Sequence, residues 1–119
     1  MPRDYRLTAG DRAVVHTMID ILFPVRDRSD GIVFDAYVGN PDVNSYRLED
    51  IAVPTLLVHA RDDTMASYQG AQAAAQRIPR AELVSHERGG HLMLGQAAAT
   101  QTALLDFFGS CAEGPSELR

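Results

Sequence analysis

The run from Ile51 to His91 constrains the fold of this chain more than any other stretch. It begins I-A-V-P-T-L-L-V-H-A-R-D-D, an apolar segment from Val53 to Val58 that ends in a pair of acids. Thr55-Leu56-Leu57-Val58 reads as a strand buried on both faces, the habit of parallel sheets covered by helices. Pro54 sits at its start, where a missing N–H does least harm. Residues Ala66 to Ile78 are rich in alanine and glutamine and lack an internal proline, which predicts a helix closed by Pro79. Ala81–Glu87 alternates loosely and predicts a second strand, followed by G-G-H at 89–91. In an open parallel sheet the loops at the carboxyl ends of the strands share one edge, where ligands bind. Asp63 and His91 can therefore meet, although a helix and a strand separate them in sequence.

The preceding residues are helical in pattern. Thr8, with Asp11 three positions on, resembles a helix start. Val14, Val15, Met18, Ile19 and Leu22 then share one face, and Pro24 ends the helix. Arg26–Asp30 is a charged turn whose serine and aspartate can cap the next element. Ile32, Val33, Ala36 and Tyr37 share a second helical face, although Ile32–Phe34 alone also fits a strand. Gly39-Asn40-Pro41 stops this element, and 42–50 is a polar connection with one short turn near its end. Leu92–Phe108 reads as the last helix, with Gly109 as its C-cap and a polar, disordered tail from Ser110 onward.

Composition sets the outer bounds. At 119 residues the chain is long enough for one domain with its own core. Its net charge is −5, lysine is absent and the arginines are scattered, so no basic patch suggests a nucleic-acid partner. No apolar run approaches the ~20 residues that span a bilayer. The start lacks the apolar centre of a signal peptide. The single cysteine, Cys111, cannot form an internal disulfide, which together with the missing signal predicts a cytoplasmic location. Nothing near Cys111 in sequence would lower its pKa enough to make it a nucleophile.

Two positions stand out as candidates for chemistry. His91 follows two glycines, whose backbone turns sharply without side-chain clashes, so the imidazole sits on a loop and not within an element. The bland reading of His91 is a cap on the final helix. The acid that would partner it is Asp63, with Asp62 as the alternative. Asp62, Asp63, His86 and His91 lack any recognised zinc spacing, so no metal site is expected. His59 and His86 read instead as hydrogen-bonded interior histidines. No serine lies in a G-x-S-x-G elbow; Ser67, before Gly70, reads as a helix start.

The motifs V-P-T-L-L-V-H-A-R-D-D (53–63) and E-R-G-G-H-L (87–92) resemble the carboxyl-terminal third of the α/β-hydrolase family. That family orders its triad Ser…Asp/Glu…His along the chain. The resemblance extends over about 8–108. It implies an α/β class: a partial α/β-hydrolase fold with the last two parallel strands, flanking helices and remnant cap helices. Residues 8–40 would be cap and lead-in helices, 51–108 the strand–helix–strand–helix core, and 110–119 a tail, all in a single domain (1–119). Counting from Ala60, the family pattern makes Asp63 the triad acid and His91 the triad base, with no cofactor. Glycine is common at position 60, and a proline often follows the acid, where this chain has Thr64-Met65-Ala66. The strands that carry the serine and the first oxyanion-hole loop are missing. The expected function is thus that of a carboxyl-terminal hydrolase portion, inactive alone, whose parent cleaves an ester or related bond of a small molecule. Its expected partner is an amino-terminal hydrolase half, or a second copy pairing through open sheet edges. The alternative is a non-catalytic α/β binding module that uses those same edges.

Overall fold

The computed structural model describes residues 6–39 and 45–112. Asn40-Pro41, the first part of the polar connection and positions 113–119 of the expected tail lie outside the described residues. The chain divides into two units, Met1–Arg47 and Leu48–Arg119.

In the first unit, helix α1 (Ala9–Leu22) starts at the predicted cap. The Thr8 hydroxyl accepts the Asp11 N–H at 3.1 Å while the Asp11 carboxylate accepts the Thr8 N–H at 2.8 Å. These reciprocal bonds satisfy two backbone groups that a helix start otherwise leaves unpaired. A short 3₁₀ turn, Val25–Arg28, follows Pro24. Helix α2 (Ser29–Phe34) then runs into a π-helical turn, Asp35–Gly39, so Ile32–Phe34 is helix and not strand. The expected serine cap does not form. Ser29 instead donates its hydroxyl back to the Arg26 carbonyl at 3.0 Å, because the preceding turn already delivers the chain in helical conformation.

The second unit carries the sheet. Strands β1 (Thr55–Ala60) and β2 (Ala81–His86) pair in parallel, in register from Thr55 opposite Ala81 to Ala60 opposite His86. Helix α3 (Tyr68–Arg77) is the crossover, and α4 (Ala97–Ala112) follows the sheet. Side chains alternate between the faces of a strand, and each face meets a different helix. His59 and Ser85 face α3, where the Tyr68 hydroxyl lies 2.7 Å from Ser85 Oγ and the Tyr68 ring meets His59 edge-on at 5.8 Å. Leu56, Glu82 and Val84 line an open groove with Ala103 and Phe107 of α4, and Thr100 reaches His86 Nε2 at 3.4 Å. A short 3₁₀ turn, Leu48–Asp50, is tied to the end of α3 by a bidentate Arg77–Glu49 pair at 2.7 and 3.1 Å. Among the described residues no helix is long and apolar enough to cross a membrane.

The second unit also departs from the sequence reading in several places. β1 is half-buried along most of its length, not buried on both faces, and among the described residues it has a neighbour on one edge only. Among the described residues the buried hydrophobic side chains are Ala60, Ile78 and Leu94. α3 starts at Tyr68, two residues after the expected Ala66, because the Asp63 carboxylate accepts the Met65 and Ala66 N–H groups and holds them in a turn. α4 starts at Ala97 and not at Leu92, because Gly90, Met93 and Gly95 hold φ values of 58, 53 and 76°, which no right-handed helix admits. At its other end α4 passes through Gly109 to Ala112, so the chain from Ser110 to Ala112 is helical and not tail. Gly in a helix costs only about 1 kcal/mol, and Ser110 adds a back-bond to the Phe107 carbonyl at 2.7 Å.

Ser67 caps α3, accepting the Gly70 N–H at 3.2 Å. Ser67→Ala should therefore lower stability by about 1 kcal/mol, read as a shifted urea midpoint with an unchanged slope.

Candidate active site

The carboxyl ends of β1 and β2 bring two acids and a histidine together. β1 ends in Ala60, 1% exposed, and the Asp63 N–H closes a turn onto its carbonyl at 3.3 Å. This turn sends the Asp63 side chain inward, leaving it 5% exposed. Its two oxygens divide the work. Oδ1 accepts the Met65 N–H at 2.8 Å and the Ala66 N–H at 3.0 Å. Oδ2 lies 3.0 Å from His91 Nδ1 and 3.8 Å from His59 Nε2.

Burial opposes ionisation of Asp63, but the Ala66 amide, the His91 imidazole and the Met65 amide together outweigh it. They bring its pKa from 3.8 to about 2. A depressed carboxylate stabilises the fold above its ordinary pKa, and that contribution is lost as pH falls towards the folded value. The stability difference between the wild type and Asp63→Asn should therefore shrink as pH falls between about pH 4 and pH 2. Urea titrations across that range measure it; a difference that does not change with pH would contradict the assigned bonds.

The histidine loop has its own anchors. β2 ends at His86, whose carbonyl accepts the Arg61 N–H at 2.8 Å and extends the ladder by one bond. Arg61 also pairs with Glu87 at 3.1 Å, joining the two strand ends by their side chains. After Arg88 the chain turns: the Leu94 N–H reaches the Gly89 carbonyl at 2.8 Å, and Leu94 is buried at 3% exposure. Both glycines are required here. At φ 152° Gly89 occupies a region L side chains rarely adopt, and an added Cβ would lie 3.2 Å from Met93 Cα and 3.3 Å from Gln96 Cγ. Gly90, at φ 58°, has open space where a Cβ would stand. Gly90→Ala should thus cost about 1 kcal/mol for the left-handed backbone alone. Gly89→Ala should cost more, since backbone must also move; equal urea midpoints for the two variants would refute this.

His91 is 47% exposed, with Nδ1 turned to Asp63. An ionised carboxylate can only accept, so Nδ1 carries the hydrogen, and in the neutral ring Nε2 keeps a lone pair. Among the described residues Nε2 has no hydrogen-bond partner. The arrangement is that of a base held in one tautomer, able to take a proton from a group presented to the open side of the ring. Asp62, the alternative acid, is not on the imidazole: its Oδ1 accepts the Gly90 N–H at 2.8 Å. This role is not legible in the sequence: the family pattern selects Asp63 as the acid and assigns nothing to Asp62. His59 donates through Nδ1 to the Ala60 carbonyl at 2.9 Å. Among the described residues no group of three or more His, Cys, Asp or Glu side chains is arranged to hold a metal. Ser67 is engaged in its cap and with Gln69 at 3.2 Å, so it is not placed as a nucleophile for His91.

Parallel strands with a helix on each face, and an acid and a histidine on successive strand ends, match part of the α/β-hydrolase fold. A family model described as TAP-like protein matches residues 36–113. The chain belongs to this TAP-like family of α/β-hydrolases. A protein of Pseudomonas savastanoi pv. phaseolicola (strain 1448A / Race 6), named "Putative carbamate hydrolase RutD", is 41% identical over 61 residues. That match covers 50% of this chain and 24% of the relative, so the chain spans about a quarter of the length of the protein it matches. No solved structure matches the chain significantly.

Proposed function

We propose that this chain is the portion of a serine hydrolase that supplies the acid and the base, and that the complete enzyme cleaves an ester or carbamate bond of a small molecule. The observation that carries the reading is the 3.0 Å contact between His91 Nδ1 and Asp63, which leaves Nε2 open on an exposed ring face. Family membership supports the hydrolase class, and the similarity to a protein named as a carbamate hydrolase supports the choice of bond.

The chemistry depends on the tautomer. A serine hydroxyl from another part of the enzyme attacks the substrate carbonyl carbon, and its proton moves to His91 Nε2. The resulting imidazolium is stabilised by Asp63, which remains ionised. The tetrahedral species collapses as the leaving oxygen or nitrogen takes the proton from Nε2. Water then gives a proton to Nε2 and attacks the acyl-serine, and the serine leaves with that proton. The chain supplies neither the strained elbow that exposes such a serine nor the loop before it that donates to the oxyanion. On this reading the chain alone does not turn over substrate.

The half-buried strands support a further element of the proposal. Both strands have an outer edge without a partner among the described residues, and such edges pair readily with other strands. We place the nucleophile-bearing portion there. A binding module using the same edges is the second reading, and one experiment separates the two. The chain is joined to the serine-bearing amino-terminal portion of a TAP-like hydrolase and assayed on p-nitrophenyl acetate and a p-nitrophenyl carbamate. Turnover that appears only in the joined protein and disappears in His91→Ala supports the hydrolase. Turnover indifferent to His91 leaves only the binding module.

A further inference from the structure

Beyond the acid and the base, we infer that Asp62 is a positioning residue: by accepting the Gly90 N–H it holds the histidine loop so that His91 meets Asp63. The inference rests on the hydrolase reading of His91 and adds to it a residue to which the family resemblance assigns no role.

Three observations carry it. The Asp62 carboxylate reaches across from the end of β1 to the amide immediately before His91, at 2.8 Å. That amide belongs to a backbone in a left-handed conformation, φ 58°, within a loop where Gly89 and Met93 also hold positive φ. The Met93 N–H to Gly90 carbonyl bond at 3.2 Å and the Leu94 N–H to Gly89 carbonyl bond at 2.8 Å shape this segment from within, so its placement against the end of β1 depends on contacts that reach it from outside. Leu94, buried in the core, anchors the far side of His91. Asp62 is the anchor on the near side, and it stands next in sequence to the acid that must meet the imidazole. One turn therefore sets both halves of the contact: Asp63 presents its Oδ2 while Asp62 fixes the loop that carries Nδ1. A charge-assisted bond to a backbone amide is among the stronger single contacts available for this purpose.

The test reads the His91 tautomer in the full 119-residue chain, by nitrogen NMR of ring-labelled histidine near neutral pH. In the wild type the hydrogen should reside on Nδ1. In Asp62→Ala the ratio of Nδ1–H to Nε2–H forms should fall by about tenfold, the factor that a charge-assisted hydrogen bond supports. In Asp62→Asn it should be retained, since the amide oxygen still accepts the Gly90 N–H. The Met65 and Ala66 amides, bonded to Asp63, serve as the control and should keep their shifts in both variants. If Asp62→Ala is too unstable to measure, Asp62→Leu, which has no side-chain oxygen, replaces it with the same expected result. An unchanged tautomer in the variant that removes the acceptor overturns the inference and leaves the Asp63–His91 pair intact. Equal loss in Asp62→Asn and Asp62→Ala also overturns it, because charge and not the Gly90 bond would then be responsible. A wild type whose hydrogen resides on Nε2 is a different failure, that of the hydrolase reading itself.

Discussion

Asp63→Asn, in the joined serine-bearing protein, should lower kcat by on the order of 10⁴ with KM changed little. The reason lies in how the two carboxylate oxygens are used. Asparagine can keep its oxygen on the Met65 and Ala66 amides, where Oδ1 now accepts at 2.8 and 3.0 Å. Its amide nitrogen then occupies the place of Oδ2, 3.0 Å from His91 Nδ1. Two donors cannot share that contact, so the imidazole must move its hydrogen to Nε2. The ring stays in place, but the lone pair that would accept the serine proton is gone. The turn geometry survives and the chemistry does not, which separates this variant from one that merely disrupts the loop. Steady-state kinetics with an unchanged circular dichroism spectrum is the measurement. A loss of less than about tenfold would place Asp63 outside the machinery.

His91→Ala should have the larger effect, on the order of 10⁶ in kcat, because it removes both the acceptor for the serine proton and the donor for the leaving group. Its side chain is 47% exposed and fills no core space, so the substitution should leave folding nearly unchanged. The double variant with Asp63→Asn should be no slower than His91→Ala alone, since the acid acts only through the imidazole. Additive losses would show that Asp63 contributes by another route.

Much of this geometry is legible in the sequence, for identifiable reasons. The bounds of β1 come from an apolar run closed by acids, and those of β2 from a short alternating run closed by glycines. Parallel pairing then requires that the two strand ends lie on one edge, which brings Asp63 and His91 within reach of each other. The helix starts are less accessible. Residues 66–67 and 92–96 fall in the runs read as helices, yet the first lie beyond a turn held by the Asp63 side chain and the second contain left-handed backbone at Met93 and Gly95. Both are tertiary or conformational decisions that override propensity. Gly109 misleads for the opposite reason: a residue that often ends helices is here passed over, with a serine back-bond beside it. The division of labour between Asp62 and Asp63 is least accessible, because it depends on which carboxylate the turn after Ala60 directs inward.

The most direct measurement is the reaction of a fluorophosphonate probe with the joined protein, followed by mapping of the labelled serine. The probe forms a phosphonyl–serine bond with loss of fluoride, and it needs a serine whose proton a histidine can take. The expected result is one labelled serine, in the nucleophile-bearing portion, with labelling that is lost in His91→Ala and absent from the 119-residue chain alone. Labelling that persists without His91, or that falls on Ser67 of this chain, would contradict the assignment of His91 as the base of a serine nucleophile supplied from outside these residues.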